Sequence, residues 1–154
     1  IVLTRISLPN MNKEQLLKKL RLEGEQAVLI VNAPKEYLTL LGARKYSTKP
    51  LKSDEGKYDF VQLFSSSQTQ LEKLVVQCSK VGKYNCIFWA CYPKGGGMIK
   101  TDIRRDSVWT ALEKAGLHPV SQVAIDETWS ALRGRPPEMV GKKDEADSST
   151  EADT

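Results

Sequence analysis

Residues 86–92 read Cys-Ile-Phe-Trp-Ala-Cys-Tyr, and residues 93–97, Pro-Lys-Gly-Gly-Gly, follow them directly. A short, continuous apolar run is typical of a strand that is covered on both faces. Proline and three consecutive glycines cannot continue such a strand, so they mark a loop. The sequence therefore predicts a buried strand that opens into a glycine-rich loop.

Two similar apolar runs precede this strand, at Ala27–Val31 and Tyr58–Ser65. A helix signal follows each of them. Pro34 suits the first position of a helix, and Ser67 with Gln70 three residues later forms the pattern of a capping box. The alternation of buried strands with single helices favours a mainly parallel sheet. A weaker pattern at Ala43–Ser47 indicates a short additional strand.

The chain after the glycine loop continues this alternation. Thr101 or Asp102 is positioned to start a helix that ends at Gly116, and Val120–Ile125 alternates as a strand does. Trp129–Leu132 is then predicted to return as an antiparallel strand. The fold class predicted is α/β, a small Rossmann-like three-layer sandwich with a mainly parallel sheet.

Three regions divide the chain. Residues 1–24 form a leading helix, with Asn12 as its cap and an apolar stripe of leucines. Residues 25–135 form the Rossmann-like domain. Residues 136–154 form an acidic tail with too few apolar groups to offset the entropy of ordering.

The composition is that of one globular domain of 154 residues with a net charge of +4. Residues 141–154 carry a net charge of −3, so the remaining 140 residues carry +7. The apolar runs are far shorter than the ~18 residues that a membrane span needs. The cysteines at positions 78, 86 and 91 match no zinc or redox spacing, which favours reduced thiols in a cytoplasmic protein and no metal site.

The candidate ligand-binding residues lie where the predicted strands end, because ligands of open parallel sheets bind beyond the carboxyl ends of the strands. The glycine loop lets the backbone approach a ligand, and neighbouring lysine and arginine side chains suit an anion. Asp126 and Glu127 are candidates for a general base, while an adjacent pair of carboxylates equally suits a turn or a cap. The full set is Asn32, Lys94, Gly95, Gly96, Lys100, Thr101, Asp102, Arg105, Asp126, Glu127 and Trp129.

Known cofactor motifs are absent from these segments. A phosphate-binding P-loop requires glycine before its Lys-Thr pair, and Ile99 stands before Lys100. A dinucleotide fingerprint requires glycines after the first strand, where this chain has Asn32-Ala33-Pro34. No signature of a nucleic-acid-binding module is present. The sequence thus names no cofactor, argues against a nucleic-acid partner and predicts no membrane partner.

The segments at Val28–Pro34, Tyr58–Ser65, Tyr92–Asp106 and Val123–Leu132 resemble a family of bacterial proteins known as a domain of unknown function. The resemblance covers about residues 22–135 and depends most on Tyr-Pro-Lys followed by Thr-Asp-Ile-Arg-Arg-Asp, and on Asp-Glu-Thr-Trp-Ser. It implies a Rossmann-like domain with the strand order of methyltransferases and without their glycine-rich cofactor loop. It implies no activity, cofactor or partner.

Three functions are compatible with these features. The leading hypothesis is a non-catalytic or unassigned cytoplasmic domain that binds a small anionic ligand or a protein partner at the strand-end cleft. The first alternative is a divergent methyltransferase-like enzyme that uses Asp126 or Glu127. The second is a protein-interaction module that acts through the acidic tail.

Overall fold

The computed structural model of the protein describes residues 13–24 and 26–142. Four α-helices and five β-strands form within these residues, with two single turns of 3-10 helix. In chain order the elements are α1 (Lys13–Leu20), β1 (Val28–Val31), α2 (Lys35–Leu41), a 3-10 turn (Lys52–Asp54), β2 (Tyr58–Phe64), α3 (Gln68–Val81), β3 (Gly82–Pro93), α4 (Arg105–Lys114), β4 (His118–Ala124), β5 (Trp129–Arg135) and a 3-10 turn (Pro137–Met139).

The five strands form one sheet in the order β1-β2-β3-β5-β4. The first three strands are parallel, while β5 runs antiparallel to both β3 and β4. The predicted α/β sandwich, with a mainly parallel sheet and an antiparallel C-terminal strand, is confirmed. Because β5 lies between β3 and β4, the last strand of the chain's described part is an interior strand of the sheet.

Helices cover both faces of the sheet because the buried strands carry apolar side chains in both directions. On one face, Val61, Leu63 and Phe88 pack with the inward sides of α3 and α4. On the other face, Phe60 and Trp89 pack with α1 and α2. Burial of this apolar area on two sides is the main stabilising contribution to the fold.

The weak strand predicted at Ala43–Ser47 is wrong except for one residue. Ser47 alone makes a parallel bridge to Leu29, on the side of β1 opposite β2. The Ser47 carbonyl accepts from Ile30 N at 2.8 Å, and Ser47 N donates to the Val28 carbonyl at 2.8 Å. Ala43 and Lys45 are exposed and Tyr46 is only partly buried against the core, so this segment has too little apolar surface to hold a longer strand there.

Two predicted helix starts are displaced in the structure. Pro34 precedes α2 rather than occupying its first position. The helix predicted to start at Thr101 or Asp102 begins at Arg105. The physical reason is that Ile103 is 1% exposed and packs in the core, while Asp102 bonds to the start of α3 and the Thr101 hydroxyl accepts from Ile103 N.

The leading helix packs directly on the Rossmann-like domain. Leu16, Leu20 and Leu22 are buried in the same cluster as Trp89, and Trp89 Nε1 donates to the Leu20 carbonyl at 2.8 Å. The predicted cap at residue 12 and residues 143–154 of the predicted tail lie outside the described residues. No helix of the described part is long and apolar enough to cross a membrane.

Candidate functional site

The connections of the chain diverge between β1 and β2. The chain leaves β1 through α2, which lies on one face of the sheet, and reaches Ser47 at the outer side of β1. It leaves β2 through α3, which lies on the opposite face, and reaches β3. In open α/β sheets such a topological switch point leaves a crevice beyond the carboxyl ends of the two strands, where ligands bind.

We call the space between Asn32–Pro34 and Ser65–Ser67 the switch-point crevice. Asn32 follows β1, is exposed and has a φ of 60°, so the backbone turns sharply there. Ser65 follows β2 and is 2% exposed. Its hydroxyl has no hydrogen-bond partner among the described residues. A buried polar atom without a partner costs about 1–3 kcal/mol, so Ser65 is a candidate contact for a bound molecule.

A second open space lies at the end of the adjacent strand β3, on the face covered by α3 and α4. This basic cavity has a volume of about 290 Å³. It lies at the end of β3, between the start of α4 and the β4–β5 hairpin. Its lining residues are Tyr92, Lys94, Gly95, Ile103, Arg104, Arg105, Gln122 and Ser130.

The switch-point crevice and the basic cavity lie at the ends of adjacent strands, so one strand spacing separates them. Phe64 pairs with Cys91, and Ser65 N donates to the Cys91 carbonyl at 3.1 Å, so Ser65 lies level with Tyr92. Side chains alternate along a strand. Because Leu63 and Tyr92 both face α3 and α4, the alternation places Ser65 on that face as well.

Three of the predicted site residues line the basic cavity, namely Lys94, Gly95 and Arg105. The structure does not bring the other predicted residues into it. Asn32 belongs to the switch-point crevice, and Gly96 and Lys100 lie exposed in the loop beyond Gly95. The predicted common cleft is therefore two adjoining spaces rather than one.

Thr101 and Asp102 act in local structure. The Thr101 hydroxyl accepts a hydrogen bond from Ile103 N at 3.0 Å. Asp102 Oδ1 accepts from Gln68 N, the first residue of α3, at 2.8 Å. Asp102 thus fixes the loop that forms one wall of the basic cavity to the start of a neighbouring helix.

Replacing Asp102 with alanine is expected to destabilise the protein by about 1 kcal/mol, the usual cost of losing a cap at a helix start. Asp102→Asn retains a side-chain oxygen that can accept from Gln68 N, so its loss should be smaller. The unfolding midpoint in urea measures both variants. Equal losses in the two variants would show that the hydrogen bond to α3 is not the cause.

The predicted residues of the β4–β5 hairpin also lie outside the basic cavity. Asp126 Oδ1 accepts from Thr128 N and from Trp129 N, each at 2.8 Å, and so closes the turn. Glu127 is exposed beside it. Trp129 packs edge-on against Phe64 at 5.2 Å, on the face covered by α1 and α2. The hairpin is attached to the glycine loop through Lys94 N, which donates to the Thr128 carbonyl at 2.8 Å.

Sequence reasoning missed Tyr92, Arg104, Gln122, Ser130 and Ser65 as site residues. Ser130 pairs with Tyr92 across β3 and β5, a contact between residues far apart in the chain. Gln122 reaches the Tyr92 hydroxyl with its amide nitrogen at 3.4 Å. Burial raises the pKa of Tyr92, although the nearby Arg105 charge acts in the opposite direction. The only available signal was the position of Tyr92 and Ser65 at the ends of apolar runs.

Comparison with known proteins identifies the architecture. A SAM-dependent methyltransferase from Aquifex aeolicus matches with a TM-score of 0.55 and 14% identity, over 82% of this chain and 90% of that chain. A SAM-dependent methyltransferase from Thermotoga maritima matches with a TM-score of 0.51 and 10% identity, over 86% and 95% of the two chains. The [4+2]-cyclase SpnF matches with a TM-score of 0.53 and 11% identity, over 84% and 80%.

The fold is thus a Rossmann-like architecture of the methyltransferase type. At these identities the likeness shows the fold alone, and the cyclase among the matches shows that the fold is not tied to one reaction. No protein-family model matches the chain, and no curated protein matches it in sequence.

The leading functional hypothesis from the sequence, a non-catalytic or unassigned binding domain, is corrected by these neighbours. Repeated matches to SAM-dependent methyltransferases over more than four-fifths of the chain favour the methyltransferase-like alternative instead. The turn after the first strand lacks the glycines of a cofactor motif, although the strand order is of the methyltransferase type.

Proposed function

We propose that the protein is a divergent methyltransferase-like enzyme that binds S-adenosylmethionine at the switch-point crevice. The observation that carries this proposal is the switch between β1 and β2 next to the buried Ser65 hydroxyl, in a sheet of methyltransferase type. Ligand sites of open α/β folds lie at such positions.

The residues of the crevice fit a polar cofactor on one side. Ser65 offers a buried hydroxyl that needs a hydrogen-bond partner, and the exposed Asn32 amide lies across the crevice. The turn after β1 departs from a glycine-rich cradle, because Pro34 lacks an N–H group and no glycine stands at 32–35. Ser65 and Asn32 would therefore hold the cofactor by their side chains.

When bound, S-adenosylmethionine supplies a methyl group on a positively charged sulfur, which passes to a nucleophile of the substrate and leaves a neutral thioether. Ser65 and Asn32 would contribute binding and orientation. Tyr92 and the other walls of the basic cavity would hold the substrate one strand spacing away. Alignment of two bound molecules accelerates such a transfer without a covalent intermediate on the protein.

Calorimetric titration with S-adenosylmethionine tests the proposal. We expect saturable binding with a dissociation constant below about 1 mM, within the usual range for enzyme ligands. The ligand at a hundredfold excess over that constant should stabilise the fold by about 2.7 kcal/mol. Adenosine serves as the control that lacks the methionine part. Absence of binding at millimolar S-adenosylmethionine contradicts the proposed function.

Two further proposals concern the family and the cellular location of the protein. The resemblance to a bacterial family of unknown function rests on the motifs near residues 92–106 and 126–130 and extends the fold likeness to a narrower group.

A cytoplasmic location is supported by Cys78, Cys86 and Cys91, none of which forms a disulfide within the described residues. Secreted proteins of this size more often join cysteines in disulfides.

A further inference from the structure

The basic cavity has a charge and a shape that the cofactor does not require. Three of its lining residues, Lys94, Arg104 and Arg105, are cations, and no acidic residue is among the eight that line it. We infer that the substrate of the proposed methyltransferase is a small molecule with a carboxylate or phosphate group, and that the basic cavity binds this group. That the bound molecule is a substrate rests on the proposed function. That it carries an anionic group rests on the charge of the basic cavity alone.

Among the residues that the structure describes, no ion pair neutralises the positive charge of the cavity. Within residues 13–24 and 26–142, none of the three cations forms a salt bridge. Asp102 accepts from α3, Asp126 accepts from the hairpin turn, and Asp106 follows Arg105 in the first turn of α4; none of these three carboxylates lines the cavity. A concave site with one sign of charge concentrates ions of the opposite sign.

The lining groups offer the hydrogen-bond donors that an anion needs. Guanidinium groups such as those of Arg104 and Arg105 match carboxylate and phosphate oxygens in paired geometry. The Tyr92 hydroxyl accepts from Gln122 Nε2 at 3.4 Å, and its own proton has no acceptor among the described residues. A tyrosine hydroxyl keeps its proton at neutral pH, and burial raises the pKa of Tyr92 further, so this hydroxyl can donate to an anion.

The size and position of the cavity indicate a small molecule. Its volume of about 290 Å³ is near the lower end of the usual range of small-ligand pockets. Ser65 lies level with Tyr92 on the adjacent strand, about 4.8 Å away in the sheet direction. An anionic group held beside Tyr92 therefore leaves the rest of the substrate free to extend toward the switch-point crevice.

Two-dimensional NMR titration of the full chain tests the inference, with inorganic phosphate and malonate as separate probes at constant ionic strength. We expect saturable shifts at the amides of residues 92, 94, 95 and 103–105 with at least one probe, and the better probe identifies the anionic group. Arg105→Gln should weaken this binding at least tenfold, as expected for losing a hydrogen bond between charged groups. Tyr92→Phe should weaken it by a smaller factor, about threefold.

Lys114→Gln is the matched control, because Lys114 is an exposed cation on the same helix, at its other end. We expect unchanged anion binding in this variant. Equal weakening by Arg105→Gln and Lys114→Gln, or no saturation with either probe, overturns the inference. Binding of S-adenosylmethionine without anion binding overturns it and leaves the proposed function standing. Anion binding without S-adenosylmethionine binding supports the cavity as an anion site and contradicts the proposed function.

Discussion

Trp89→Ala is expected to destabilise the protein by about 3–5 kcal/mol, the cost of removing a large buried aromatic side chain from a core. Trp89 is 1% exposed and lies on β3, where it packs in the cluster that joins the sheet to α1. Its Nε1 donates to the carbonyl of Leu20, the last residue of α1. The last carbonyls of a helix have no partner inside the helix. The substitution therefore removes packing and a helix-end hydrogen bond together.

Urea unfolding followed by circular dichroism measures this loss. Trp89→Phe separates the two contributions, because it retains most of the ring and should cost only about 1–2 kcal/mol for the lost hydrogen bond. Trp109→Ala provides the control, since Trp109 of α4 is half-buried and its ring contacts His118, the first residue of β4. A loss as large in Trp109→Ala as in Trp89→Ala would contradict a special role of Trp89 in holding α1.

Ser65→Ala is expected to change stability and ligand binding in opposite directions. The variant removes a buried hydroxyl that has no partner among the described residues, so the ligand-free protein should gain about 1 kcal/mol. If Ser65 binds S-adenosylmethionine, the same change should weaken that binding about tenfold, which corresponds to a lost hydrogen bond. Thermal unfolding and calorimetry measure the two effects on the same samples.

Ser66→Ala is the appropriate comparison because Ser66 is the exposed neighbour of Ser65. It should leave both quantities close to those of the unchanged protein. Destabilisation by Ser65→Ala would show that its hydroxyl is already satisfied in the free protein. Unchanged affinity for S-adenosylmethionine in that variant would remove Ser65 from the proposed binding site.

Sequence patterns located most of the elements because local physics determines them. Val28–Val31 is a continuous apolar run, Tyr58–Phe64 is a mainly apolar one that also contains Asp59 and Gln62, and both become strands with largely buried residues. Ser67 was predicted to cap a helix, and its hydroxyl accepts from Gln70 N at 3.3 Å. The helix start near residue 101 was misplaced because Asp102 caps α3, which is distant in the chain, instead of its own segment.

The candidate site was less accessible to sequence reasoning. Lys94, Gly95 and Arg105 were named from one continuous segment, and the structure places all three on the basic cavity. Asp126 was named as a carboxylate with a chemical role, yet its oxygen accepts two backbone N–H groups in a turn. A carboxylate at this position also suits a turn or a cap, and the structure shows the turn.

The amino-acid sequence by itself determined the alternation of strands and helices, the glycine loop after β3 and the excess of positive charge near it. These properties depend on side chains close together along the chain, so periodicity and composition reveal them. Only the tertiary structure decided the strand order, which inserts β5 between β3 and β4 and brings Ser130 and Gln122 to Tyr92. Such pairings join segments separated by tens of residues, and their selection depends on which surfaces the whole core can bury.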